Sequence, residues 1–158
     1  MYYLEGIKND NFKYGEIAND ILVEKKSKFL SYVFNISTEQ EAKSCIDKIA
    51  SEYKDARHIV YIYTYIENGI KMTKFSDDGE PTGTGTKSIN ELLNKEEITN
   101  TCIVIVRYFG GVLLGTGLLT RSYLNVARNA INNCNKKILY NFINKNYILE
   151  YPQYDIFK

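Results

Sequence analysis

The chain has 158 residues, of which 44% are hydrophobic, 25% are charged and only 2 are proline. That is the size and composition of one globular domain able to bury about two-thirds of its unfolded surface, and it excludes disordered, collagen-like and staple-dependent miniprotein classes. The 20 Lys and Arg against 19 Asp and Glu leave a net charge of +1, so overall charge selects no partner.

The opening residues show no basic segment leading into an apolar run, and no stretch approaches the roughly 20 apolar residues that span a bilayer. A cytoplasmic location and no membrane partner are therefore expected. Residues 1–17 read as an N-terminal extension of a domain over 18–135. Within that domain Ile21 to Val23 and Phe29 to Ile36 read as strands, and the charged run Glu24 to Lys28 between them reads as a hairpin or bend. Thr38 with Glu41 three positions on is a capping box, and the apolar rhythm Ala42, Ile46, Ile49, Ala50, Tyr53 continues it as a helix. Ile59 to Ile66 and Lys71 to Phe75 read as strands joined by Asn68-Gly69, a strong hairpin signal. A Gly/Thr loop over 77–87 leads to a short helix around Ser88 to Leu93.

Thr101 to Phe109 is the most continuous apolar run and predicts a central strand buried on both faces. From Thr116, a candidate N-cap, to Cys134 the apolar positions Leu119, Tyr123, Val126, Ala127, Ala130 and Ile131 form a core stripe on the longest helix. Residues 136–158 form a strand-like tail, read as the start of a truncated second domain, and such a strand should pair with an exposed edge or exchange between copies in a homodimer. The three cysteines, Cys45, Cys102 and Cys134, show no zinc or disulfide spacing and read as buried reduced thiols.

Four features can carry chemistry. The loop Phe75 to Lys87 holds three carboxylates, Asp77, Asp78 and Glu80, with Gly79, Thr82 and Gly83. They can hold Mg²⁺ or supply an acid/base pair, or they can cap backbone amides around an Asp-Gly turn, and the absence of a partner cluster favours the second. The glycine-rich turn Arg107-Tyr108-Phe109-Gly110-Gly111, continuing to Gly117, feeds the long helix and has the ingredients of an anion site, although packing alone also demands such glycines. Between Glu97 and Glu150 there is no acid: residues 98–149 hold six cations, Arg107, Arg121, Arg128, Lys136, Lys137 and Lys145, for a local charge of +6. On the long helix Arg121, Asn125, Arg128 and Asn132 fall on one polar ridge opposite the apolar stripe, a face suited to phosphates and bases. Last, Tyr61, Tyr63 and Tyr65 line one face of a strand, either to stack bases or, more commonly, to pack beneath a helix. His58, the one histidine, lacks a nucleophile context and reads as a hydrogen-bonded strand residue. Arg is scarce, four residues among 20 cations, so Arg57, Arg107, Arg121 and Arg128 mark places where a planar fork matters.

Asp55-Ala56-Arg57-His58, Phe75 to Gly83 and Val106 to Gly117, in this order, resemble the N-terminal domain of the YigZ/Impact family over roughly residues 18–134. The resemblance implies an α+β two-layer sandwich like ribosomal protein S5 domain 2, a four-stranded sheet with two helices on one face. It differs at Gly83 to Ser88, where members usually carry Gly-Thr-Ala-Gly-Lys-Pro, and at Leu118, commonly glycine. It also implies a translation-linked role without settled catalytic residues. The expectation is thus a non-enzymatic domain binding RNA or the ribosome through Arg107, Tyr108, Gly110, Gly111, Arg121, Asn125, Arg128, Lys136 and Lys137, with no cofactor and no metal. The alternatives are an enzyme for a phosphorylated small molecule using Asp77, Asp78 and Glu80 with Mg²⁺, and a protein-interaction module meeting an acidic partner.

Overall fold

Two tight hairpins organise the first half of the chain. A computed structural model, which describes residues 1–7 and 12–140, places β1 at Tyr2–Gly6, β2 at Ala18–Glu24 and β3 at Ser27–Asn35. Lys25 and Lys26, at φ 46° and 69°, make the two-residue turn between β2 and β3. β4 (His58–Glu67) and β5 (Ile70–Ser76) are joined the same way, through Asn68 and Gly69 at φ 54° and 77°. Two successive left-handed residues match the twist of the flanking strands, so the charged break and the Asn-Gly pair both become hairpins.

The remaining elements are α1 (Glu39–Glu52), α2 (Lys87–Lys95), β6 (Thr101–Tyr108), α3 (Thr116–Asn132) and β7 (Cys134–Ile138). β6 lies at the centre of an antiparallel sheet of order β2-β3-β6-β4-β5. The class is α+β as expected, but the sheet has five strands where the resemblance implied four. The fifth is β5, which the Asn-Gly signal had already indicated.

Helices cover both faces. Ile103 and Ile105 of β6, Val60 and Ile62 of β4, and Phe29 and Val33 of β3 pack with Ile89 and Leu93 of α2 and with Leu119, Tyr123 and Val126 of α3. Two helices therefore share one face, as the resemblance implied, and they are α2 and α3. Cys102, Val104 and Val106 point the other way and are covered by Ala42 and Ile49 of α1, with Tyr63, Tyr65 and Phe34. A central strand apolar on both faces needs a cover on each, which is why α1 adds a third layer. The capping box at Thr38 and Glu41 forms as read from the sequence. The tyrosine ladder packs under α1: Tyr61, Tyr63 and Tyr65 stack at 6.1 Å, and the Tyr63 hydroxyl donates to Glu39.

The first strand is part of the packing, since Leu4 is fully buried in the core shared with α3. β1 pairs antiparallel with β7, Tyr2 opposite Ile138 and Gly6 opposite Cys134. The strand-like tail read over 136–158 thus overlaps β7 only at residues 136–138, β7 itself beginning at Cys134, inside the domain read over 18–135, and residues 141–158 of that tail lie outside the described residues. α3 begins at Thr116 with Gly115, at φ 80°, in the N-cap position, so the threonine expected to cap is the first helical residue and its hydroxyl accepts no capping bond. Among the described residues no helix is long and apolar enough to cross a membrane.

Candidate functional site

Antiparallel register brings three distant segments to one end of the sheet. Arg107, near the end of β6, lies opposite Phe29 at the start of β3 and His58 at the start of β4. The β2–β3 turn, the acidic loop and the glycine turn therefore meet there. Arg107 shares its sheet face with Phe29, Ile103 and Ile105, whereas Tyr108 points to the α1 face, because successive strand residues alternate. There Tyr108 donates to Asp55 at 2.9 Å, so the two residues expected on one surface are on opposite faces.

The Arg107 guanidinium is not presented to an external anion. It is 6% exposed, and its Nη1 donates to both Glu80 oxygens at 2.9 and 2.7 Å. The Tyr123 hydroxyl, fully buried on α3, donates to the same carboxylate. Burial and the adjoining carboxylate push Tyr123 ionisation far above the ordinary phenol range. Nη2 of Arg107 and the amide of Gly110 both donate to the Ser27 hydroxyl, at 3.4 and 3.3 Å. A buried charge is tolerable only when paired and hydrogen-bonded. Glu80 from the loop and Arg107 from β6 thus require each other, and together they tie the loop to α3 and to the glycine turn. Arg107 Nε is buried without a hydrogen-bond partner among the described residues.

The rest of the acidic loop is likewise engaged within the protein. Asp77 accepts from the amides of Gly83 and Gly85 and from the Thr86 hydroxyl. Asp78 accepts from the Ile59 amide at 2.6 Å, and Asp78 with Gly79, at φ 47° and 84°, forms the turn that returns Glu80 to the core. The Asp78 carbonyl is an acceptor only, so His58 Nδ1 donates to it, at 2.6 Å, while Nε2 stands 3.4 Å from Glu80. Thr82 is exposed, and Gly83 sits at φ 83°. Among the described residues no group of three His, Cys, Asp or Glu is placed to hold a metal ion. The arrangement is that of turn-forming and charge-neutralising carboxylates.

The glycine turn makes a close approach that only glycine permits at one position. A Cβ on Gly110 would stand 2.1 Å from the Lys26 carbonyl carbon, whereas Gly111, at φ 90°, faces open space. Val112 and Leu113 protrude beyond it, Leu113 being 84% exposed. Phe109 is flanked by two guanidinium groups, Arg57 at 4.8 Å and Arg107 at 5.8 Å from the ring centroid.

From this end α3 runs toward β7 with Arg121, Asn125, Arg128 and Asn132 all exposed, the ridge the spacing predicted. Arg128 donates to Asn125 at 3.5 Å. Lys136 and Lys137 are not part of that ridge: they lie on β7 and pair with Glu96 and Glu5, at 2.8 and 3.5 Å. The pairing holds Lys136 protonated to higher pH than usual and Glu96 ionised to lower pH. Three of the six cations in the acid-free segment are thus neutralised by carboxylates from outside it, Lys145 lies outside the described residues, and Arg121 and Arg128 carry the exposed charge.

The fold and the latched loop and turn define an α+β domain whose three sequence motifs converge on one sheet end. The chain belongs to the Impact N-terminal domain family, whose model matches residues 25–131. It is 40% identical over 112 residues to the IMPACT family member YvyE of Bacillus subtilis, covering 71% of this chain and 51% of that protein. The chain thus spans about half the length of that curated relative. A crystal structure of a hypothetical protein superposes with a TM-score of 0.69 at 31% identity, covering 77% of this chain and 61% of the other. The structure of the two-domain translational regulator Yih1 shares the fold, with a TM-score of 0.53 at 23% identity over 81% of this chain and 50% of the other.

Sequence reasoning identified both motifs but not what joins them. Ser27, His58 and Tyr123 complete the latch, and the signal for Tyr123 was a polar hydroxyl inside an apolar helix stripe, which demands a buried partner.

Proposed function

We propose that this domain acts in translation control by binding RNA, free or ribosomal, through the exposed face of α3. The observation that supports it most directly is the ridge of Arg121, Asn125, Arg128 and Asn132 on a helix with no Asp or Glu from residue 98 to 149. Arginine supplies forked donors for phosphate and asparagine supplies paired donors and acceptors, so the face suits a polyanion that carries bases. Family membership, together with the fold shared with a protein described as a translational regulator, supports the link to translation.

Salt dependence tests the reading. Each phosphate contact contributes about 0.7 to 0.9 to the log–log slope. Arg121→Ala combined with Arg128→Ala should therefore flatten the slope for a structured RNA by about 1.4 to 1.8 without lowering the melting temperature, since both side chains are exposed. An unchanged slope removes the ridge as the contact surface. Protein docking is a second reading, favoured by Val112 and Leu113 exposed at the glycine turn, and a nuclease-resistant partner lost on Leu113→Ser distinguishes it.

A further inference from the structure

We propose that Arg57 is a stacking site for an unpaired RNA base, placing the single-stranded part of the ligand at the glycine-turn end of the sheet; this rests on the RNA reading above and names which RNA feature the domain prefers. Arg57 is exposed, and its side chain lies against Phe109. Its guanidinium carbon lies 4.8 Å over the Phe109 ring, and its backbone amide donates to the Arg107 carbonyl at 2.9 Å. Among the described residues it forms no ion pair. Asp55 accepts from the Tyr108 hydroxyl and Asp78 from the Ile59 amide.

An exposed guanidinium close to an aromatic ring combines a positive charge with a plane on which a flat partner can stack. The ring beneath it is itself braced, because the buried Arg107 sits 5.8 Å from the same centroid and is pinned by Glu80. The Phe109 contact reduces the side-chain freedom that would otherwise be lost when a base is added, which is what preorganisation contributes to binding. The surroundings suit a nucleotide. Lys26 carries the backbone against which Gly110 packs, and it is exposed for a flanking phosphate. Stacking on an arginine plane is sequence-tolerant and requires an unstacked base, so it selects single-stranded segments over duplex. A lysine at this position supplies the charge without the plane.

The test uses the whole 158-residue chain and a single-stranded RNA of about eight nucleotides carrying 2-aminopurine, beside a hairpin stem of the same sequence. Binding should change the 2-aminopurine fluorescence and favour the single strand. Arg57→Lys should abolish the fluorescence change and weaken single-strand binding at least about fivefold, the lower end of base stacking, while leaving the salt slope unchanged. Arg57→Ala should lose the same stacking and also flatten the slope by about 0.7. Arg57→Lys behaving as the parent overturns the proposal. So does single-strand binding without a fluorescence change, in which case the α3 ridge reading stands if its own slope responds. Equal competition by polyglutamate assigns the cations to an acidic protein and overturns it as well. No binding of either RNA at low salt refutes the RNA reading and this site together.

Discussion

Glu80→Gln removes a charge while keeping the shape of the side chain, and it isolates the latch that joins the acidic loop to the sheet. Glu80 and Arg107 expose 3% and 7% of their side chains, and the carboxylate receives both contacts from Arg107 Nη1 and one from the Tyr123 hydroxyl. Gln retains one acceptor oxygen but presents an amide donor where the second oxygen stood. One Arg107 contact is lost and the guanidinium is left buried without its counter-charge. Removing one partner of a buried pair costs about 3 to 5 kcal/mol, and the retained acceptor places this variant near 3. For a chain of this size that lowers the melting temperature by about 6 to 12 °C. Denaturant unfolding should show the loss in the midpoint with an unchanged m-value. Replacing both partners by apolar residues of similar volume, Glu80→Leu with Arg107→Met, should cost less than either single change, because no unpaired charge is then buried. A loss below about 1 kcal/mol for Glu80→Gln refutes the latch as an energetic unit.

Two further outcomes follow from local geometry. Gly110→Ala forces a Cβ into the Lys26 backbone, and because backbone cannot rotate away, a loss at or above the upper end of the 1 to 3 kcal/mol typical of overpacking is expected in the same unfolding assay, against a near-neutral effect if the turn simply moves aside. Tyr14, Tyr53 and Tyr108 form a cluster, with Tyr53 edge-on to the other two at 6.4 and 6.5 Å between ring centroids, and this cluster should limit stability at alkaline pH. Tyr14 is pushed up to about 12 mainly by its hydrogen bond to Tyr53, and Tyr53 and Tyr108 to about 12 mainly by burial. Unfolded tyrosines ionise near pH 10, so the cluster's contribution is complete below about pH 10 and is lost as pH rises toward 12. Absorbance at 295 nm and melting curves across that window check it, and a melting temperature flat to pH 12 contradicts it.

Much of the architecture was legible because it is written locally. The capping box at Thr38 and Glu41, the Asn68-Gly69 turn and the doubly apolar run from Cys102 to Val106 each act over a few residues, and each formed as read. The α3 ridge was legible for the same reason, since helical spacing fixes which residues share a face. The helix start was misplaced by one residue because Gly115 adopts a left-handed conformation that terminates the turn, leaving Thr116 inside the helix.

The role of Arg107 was not legible. Its neighbours in sequence are the glycines of a turn, and they made it resemble an anion-binding residue. Its partner Glu80 is 27 residues away, and its other contacts come from Ser27 and, through Glu80, Tyr123. The same holds for Lys136 and Lys137, whose counter-charges Glu96 and Glu5 lie outside the acid-free segment. Charge counted along the chain measures composition, whereas electrostatic energy depends on separation in space and on burial. The sequence by itself therefore determined the elements from β2 to α3, the faces of the long helix and the family motifs, but not the β1–β7 pair, whose partners lie at opposite ends of the domain. Only the tertiary structure decided which charges neutralise one another and which, Arg57, Arg121 and Arg128 among them, remain exposed.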